Sequence, residues 1–129
     1  MSALGATRRH VASRLVGKRI LIVEDDYYAA FGMAEELAHC GAEILGPVPS
    51  LSGAFMLLNQ AEAVDGAVLD IELRDDQVFP LAEELQRRGV PFAFATAYDP
   101  KLIPTAFRGV PNRMKPAEAI WIARSLFGQ

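Results

Sequence analysis

From Lys18 onward, short apolar runs alternate with amphipathic segments, and this rhythm restricts the chain to few folds. The run Arg19–Val23 is five residues long and ends on the acids Glu24, Asp25 and Asp26. That length suits a buried strand and is too short for a helix. Over Tyr27–Cys40, residues Ala30, Met33, Ala34, Leu37 and Gly41 follow the i, i+3, i+4, i+7 spacing of a helix, with Gly41 suited to its C-terminal cap. A second strand is expected over Ala42–Gly46, closed by Pro47 and Pro49. A second helix follows, capped by Ser50 or Ser52. Gly66–Leu69 reads as a third strand, ending at Asp70. A third helix is expected near Phe79–Arg88, with Pro80 in its first turn and Gly89 after it. Val90–Ala95 reads as a fourth strand, ending at Thr96. The next helix opens at Asp99–Pro100 but meets Pro104, so it should be short or irregular. "NRMK" is a weak fifth strand, and "PAEAIWIARSLF" a final helix. Strands alternating with helices in this way imply a parallel sheet with right-handed crossovers and helices on both faces.

In such a sheet the functional crevice lies at the carboxyl ends of the strands. Glu24, Asp25, Asp26 and Asp70 converge on that rim with the Thr96 hydroxyl and the Lys115 ammonium. Clustered carboxylates repel unless something offsets them, and on strand-end loops they suit a hard divalent cation such as Mg²⁺. Asp26 alone reads as a cap for the following helix.

The set "VEDD", "VLD", "FAT" and "MKP", each after an apolar run, resembles the receiver domain of bacterial response regulators, of the stand-alone single-domain type. The resemblance covers Lys18 to Gln129. It implies a flavodoxin-like (βα)5 doubly wound α/β fold with strand order 2-1-3-4-5. It also implies that Asp70 accepts a phosphoryl group, as a carboxylate nucleophile forming an acyl phosphate. Asp25 would ligate Mg²⁺ directly, Glu24 mostly through water, and Asp70 and the backbone carbonyl of Glu72 would complete the set. Thr96 would sense the phosphoryl group, Lys115 would add positive charge to it, and the Lys115–Pro116 peptide would be cis. The implied partner is a histidine kinase or histidine phosphotransfer protein. The domain would then signal by protein–protein contact or serve as a phosphate sink.

Some positions depart from the family pattern. The position three before the lysine, usually aromatic, is Asn112, and Tyr98 is the candidate substitute or a rim aromatic. "FATAYD" partly matches a receiver subgroup marked by Phe-Ala-Thr-Gly followed by Tyr: Ala97 replaces the Gly, and Tyr98 sits one position early. A haloacid-dehalogenase-like phosphohydrolase also uses a nucleophilic Asp and Mg²⁺. "DIELR", however, puts Glu72 where that class needs Asp, and there is no cap-domain insertion. A pseudo-receiver that never takes phosphate is a further alternative, opposed by the complete set of acids, Thr and Lys. No Gly-x-Gly-x-x-Gly follows the first strand, which excludes a dinucleotide site.

The rest of the chain bounds the setting. Residues 1–17 form a basic arm, either frayed or folded as a short docking helix, and residues 18–129 form the domain. Net charge is −3, which argues against broad nucleic-acid binding. The single cysteine, Cys40, gives no disulfide framework. No apolar stretch approaches the roughly 18–20 residues that span a bilayer, and a cytoplasmic protein is expected. The chain stops directly after the last helix, so no output domain is expected. His10, His39 and the acids Asp75 and Asp76 read as unremarkable surface groups. In the last helix Ala119, Ile122, Ala123 and Leu126 form the packing stripe. Trp121 falls nearly opposite, either covered by the arm or offered to a homodimer or kinase contact.

Overall fold

Five parallel strands lie in the order β2-β1-β3-β4-β5: β1 Arg19–Val23, β2 Glu43–Val48, β3 Gly66–Leu69, β4 Phe92–Ala95 and β5 Asn112–Arg113. The helices are α1 Ala3–Ala12, α2 Tyr27–His39, α3 Leu51–Gln60, α4 Phe79–Arg88 and α5 Ala119–Phe127. This is the flavodoxin-like α/β arrangement, here in a computed structural model that describes residues 3–128. The terminal residues 1, 2 and 129 of the arm and domain bounded above lie outside the described residues.

Side chains alternate across each strand, so the sheet builds two cores. Ile20 and Ile22 face one way, with Met33 and Leu37 of α2 and Ile122, Ala123 and Leu126 of α5. Leu21 and Val23 face the other, with Ala54 and Leu58 of α3 and Leu81 and Leu85 of α4. The first core extends into the arm: Val11 of α1 and Leu15 of the following 3-10 turn are buried in it. α1 therefore packs on α5. Trp121 is half-buried against the same core, with the Arg113 guanidinium 5.7 Å from its ring centroid. It does not stand free on a polar face, because it packs on the first core and Arg113 of β5 lies near its ring.

Several boundaries differ from expectation: β4 opens at Phe92 rather than Val90, and β5 ends at Arg113 rather than Lys115. β2 runs past Gly46 and through Pro47 to Val48, with a register shift against β1 between Leu21 and Val23. As an edge strand, β2 can accept a residue without an N–H. Gly46 is required at that shift: its φ is +95°, and a Cβ there would lie 2.9 Å from the Ile22 carbonyl oxygen and from Val48 N. The connection between β4 and β5, expected to be short or irregular, holds two 3-10 turns, Pro100–Leu102 and Thr105–Phe107, each opening at or just after a proline. α5 starts at Ala119 rather than Pro116, beyond the cis Lys115–Pro116 peptide.

Candidate functional site

β1 and β3 are neighbours in register, Val23 beside Leu69, so the residues that follow them meet at the carboxyl rim. Backbone bonds fix the two exits: Glu24 N–H donates to Val48 O at 2.9 Å and Asp70 N–H to Val23 O at 2.8 Å. Thr96 leaves β4 the same way, its N–H bonded to Arg113 O at 3.0 Å. Glu24, Asp70 and Thr96 are 3%, 5% and 5% exposed, and they are the buried polar or charged side chains among the described residues. One carboxylate oxygen from each of Glu24, Asp25 and Asp70 lies within 4.8 Å of the others. Asp25, Asp70, Glu72, Thr96, Tyr98 and Lys115 line one open cleft. All the site residues expected from the sequence thus gather at one place.

Lys115 stands between the two buried acids. Its Nζ donates to Asp70 Oδ2 and to Glu24 Oε2, both at 3.1 Å. Asp70 Oδ1 accepts from Thr96 Oγ1 at 2.7 Å and from Ile71 N–H at 2.8 Å. Burial pushes the Asp70 carboxyl up, but the hydrogen bonds from Glu24, Thr96 and Lys115 outweigh it and hold the group below the usual carboxylate range. Glu24 goes the other way. Burial, reinforced by the neighbouring Asp70 charge, raises it to about 7 despite the Asp26 N–H and Lys115. The two carboxyls are therefore pushed apart, Asp70 downward and Glu24 upward.

The donor set suits a hard cation. It offers three carboxylates around one point, and Glu24 Oε1 is buried without a hydrogen-bond partner, although Lys115 Nζ lies 3.0 Å away. Such an orphaned oxygen is costly in a dry site and is what a cation or its water would satisfy.

Asp26 caps α2, its side chain accepting from Ala29 N–H at 3.1 Å. Tyr98 N–H donates to Thr96 Oγ1 at 3.1 Å; its hydroxyl lies 3.4 Å from Gln77 Nε2, and its ring meets Phe79 edge-on at 6.2 Å. It is half-buried on the second core and borders the cleft. Asn112 is exposed.

Two contacts around the site escape the sequence reading. Asp75 is not merely solvated: its carboxylate accepts from Leu51 N–H at 2.7 Å and Ser52 N–H at 3.1 Å, across to α3. Glu36 of α2 accepts from Ala119 N–H at 2.8 Å and so caps α5. Neither has a local signal, because each partner is remote in sequence.

No family model matches the chain, and no curated protein matches it. Solved structures do. SdrG from Sphingomonas melonis Fr1 is 31% identical with a TM-score of 0.74, over 87% of this chain and 95% of that one. The response regulator PhyR from Brucella abortus is 25% identical with a TM-score of 0.75, over 95% of this chain but 53% of that one, so this chain spans about half its length. A receiver domain protein (CheY-like) from Methanospirillum hungatei JF-1 is 27% identical with a TM-score of 0.68, over 80% of this chain and 85% of that one.

Proposed function

The chain belongs to the response regulator receiver family, and from that premise we propose that it accepts a phosphoryl group on Asp70 from a histidine kinase or histidine phosphotransfer protein, with Mg²⁺ required. The observation that carries this reading is the state of Asp70: nearly buried at a strand end, yet held ionised by Thr96 and Lys115. A carboxylate kept charged in a dry site is a nucleophile in waiting.

In the transfer, a carboxylate oxygen of Asp70 forms a bond to phosphorus as the donor's P–N bond breaks, and the imidazole leaves with the electron pair. Lys115, already on Asp70 Oδ2, has the reach to follow negative charge onto the phosphoryl oxygens. Thr96 Oγ1, now donating to Asp70 Oδ1, would turn to a phosphoryl oxygen and carry the Tyr98 N–H contact with it. That exchange turns covalent change into a movement of the loop after β4. Asp25, Asp70 and the Glu72 carbonyl would hold Mg²⁺, with Glu24 acting through water; the ion supplies charge neutralisation and alignment. Output would be protein–protein contact or phosphate draining, with a homodimer one form of the contact. A cytoplasmic setting goes with this reading; no described helix is long and apolar enough to cross a membrane.

The test is intact-mass measurement of the protein incubated with acetyl phosphate, with Mg²⁺ or with excess chelator. One phosphoryl adduct is expected, Mg²⁺-dependent and lost in Asp70→Asn. No adduct on the unsubstituted protein would make it a pseudo-receiver, and full labelling of Asp70→Asn would overturn the assignment of Asp70.

A further inference from the structure

The segment between β3 and α4 folds back on itself. Val78 N–H bonds Ile71 O at 2.8 Å, Leu73 N–H bonds Asp76 O at 3.0 Å, and Glu72 and Gln77 form an antiparallel bridge. Glu72, on one arm of this small hairpin, borders the cleft of Asp25, Asp70 and Lys115. Asp75 lies at the tip and reaches the start of α3.

The first turn of α3 is fully served. Leu51 and Ser52 give their N–H groups to the two oxygens of Asp75, Gly53 gives its own to Ser50 Oγ at 3.0 Å, and Ala54 bonds the Ser50 carbonyl at 3.1 Å. Two charge-assisted bonds to a helix N-terminus make a directional tie, supported by the positive end of the helix dipole. The bonds from Leu51 and Ser52 hold the Asp75 carboxyl below its ordinary range. α3 is anchored in the second core through Ala54 and Leu58. The hairpin is therefore fastened at its base by Ile71 and Val78 and at its tip to an element seated in the core.

We propose that Asp75 is a positioning residue: by tying the hairpin tip to α3, it holds the Glu72 backbone at the acidic cleft and so sets the affinity for Mg²⁺. This inference rests on the metal reading given above. Outer groups that orient ligands typically change metal affinity by about 10–100-fold when removed. A purely structural cap would lower stability and leave affinity alone.

The experiment is an Mg²⁺ titration of the full chain, followed by the amide shift of Ile71, with thermal melts in chelator run alongside. The variants are Asp75→Ala, Asp75→Asn and Ser50→Ala. Ser50→Ala removes a cap from the same helix end without touching the hairpin. We expect Asp75→Ala to raise the Mg²⁺ Kd by roughly tenfold, Asp75→Asn to fall between it and the unsubstituted protein, and Ser50→Ala to lower the melting temperature with Kd unchanged. If Asp75→Ala does not fold, Asp75→Asn carries the test, since it keeps one acceptor oxygen. Should both Asp75 variants bind Mg²⁺ like the unsubstituted protein, or Ser50→Ala weaken binding equally, the positioning role is wrong while the metal reading stands. If the unsubstituted protein shows no Mg²⁺-dependent shift, the metal reading fails and this role fails with it.

Discussion

The two ends of the sheet's carboxyl rim are built differently. At Asp70, order comes from hydrogen bonds: Ile71 beside it, Thr96 after β4 and Lys115 after β5 all converge on it, and Asp75 ties the adjoining hairpin to α3. In the connection between β4 and β5, order comes from aromatic packing. Phe107 of the second 3-10 turn stacks on Phe79 at 5.6 Å and meets Phe92 and Phe94 edge-on at 6.4 and 6.1 Å. β5 is two residues long, and Leu102 and Met114 are 62% and 74% exposed beside it. The difference teaches what each kind of contact can specify. Directional bonds place charges to a fraction of an ångström. Ring packing holds a segment in place without fixing any charge in direction.

The largest expected effect breaks the packed end. Phe107 is 5% exposed, and Phe107→Ala should cost about 3–5 kcal/mol in denaturant unfolding. If the two ends are independent, Mg²⁺ affinity should change little in this variant.

The bonded end is sharpened by pH. In the unfolded chain Glu24 ionises near 4.5; in the folded, metal-free protein it does so near 7. Between these values the folded state holds a proton that the unfolded state has released. This contribution is therefore fully present below about pH 4.5 and is lost as pH rises to and through 7, by something on the order of 3 kcal/mol. Chemical unfolding in chelator should show that slope, and Glu24→Gln should remove it. Mg²⁺ should reduce it as well, by favouring the ionised group.

Removing the bridge is a comparable or smaller perturbation. Lys115→Met leaves Glu24 and Asp70 without their shared ammonium, and an unsatisfied buried acceptor costs about 1–3 kcal/mol. Melts in chelator should register the loss, and Mg²⁺ should restore part of it.

The smallest effect tests the open edge. Asn112 is exposed on a two-residue strand, so Asn112→Tyr should change stability by no more than about 0.5 kcal/mol. A large loss would mean that β5 is as tightly determined as β3.

How much was legible in the sequence follows the same division. The apolar runs of β1, β3 and β4 end at Glu24, Asp70 and Thr96, because strand period and burial are local signals, and their parallel register carries those residues to one rim. β2 is longer than its sequence suggests, since prolines normally close a strand and nothing local says that an edge strand passes through Pro47. Two readings stayed open for the arm, because Val11 and Leu15 are too few to make a pattern; what they fill is a gap beside α5. Asp75 looked like one more loop acid, because its partners Leu51 and Ser52 belong to a helix that only the fold brings near.

The central claim is that Asp70 is the phosphoryl acceptor, and the most direct measurement finds the modified residue itself. The protein is incubated with acetyl phosphate and Mg²⁺, reduced with borohydride, and mapped by peptide mass spectrometry. An acyl phosphate is reduced to the alcohol, so homoserine should stand in place of Asp70, and only in the sample that received phosphodonor. Homoserine at Asp25 or Asp26, or an unchanged Asp70 in a sample whose intact mass had shown the adduct, would contradict the account.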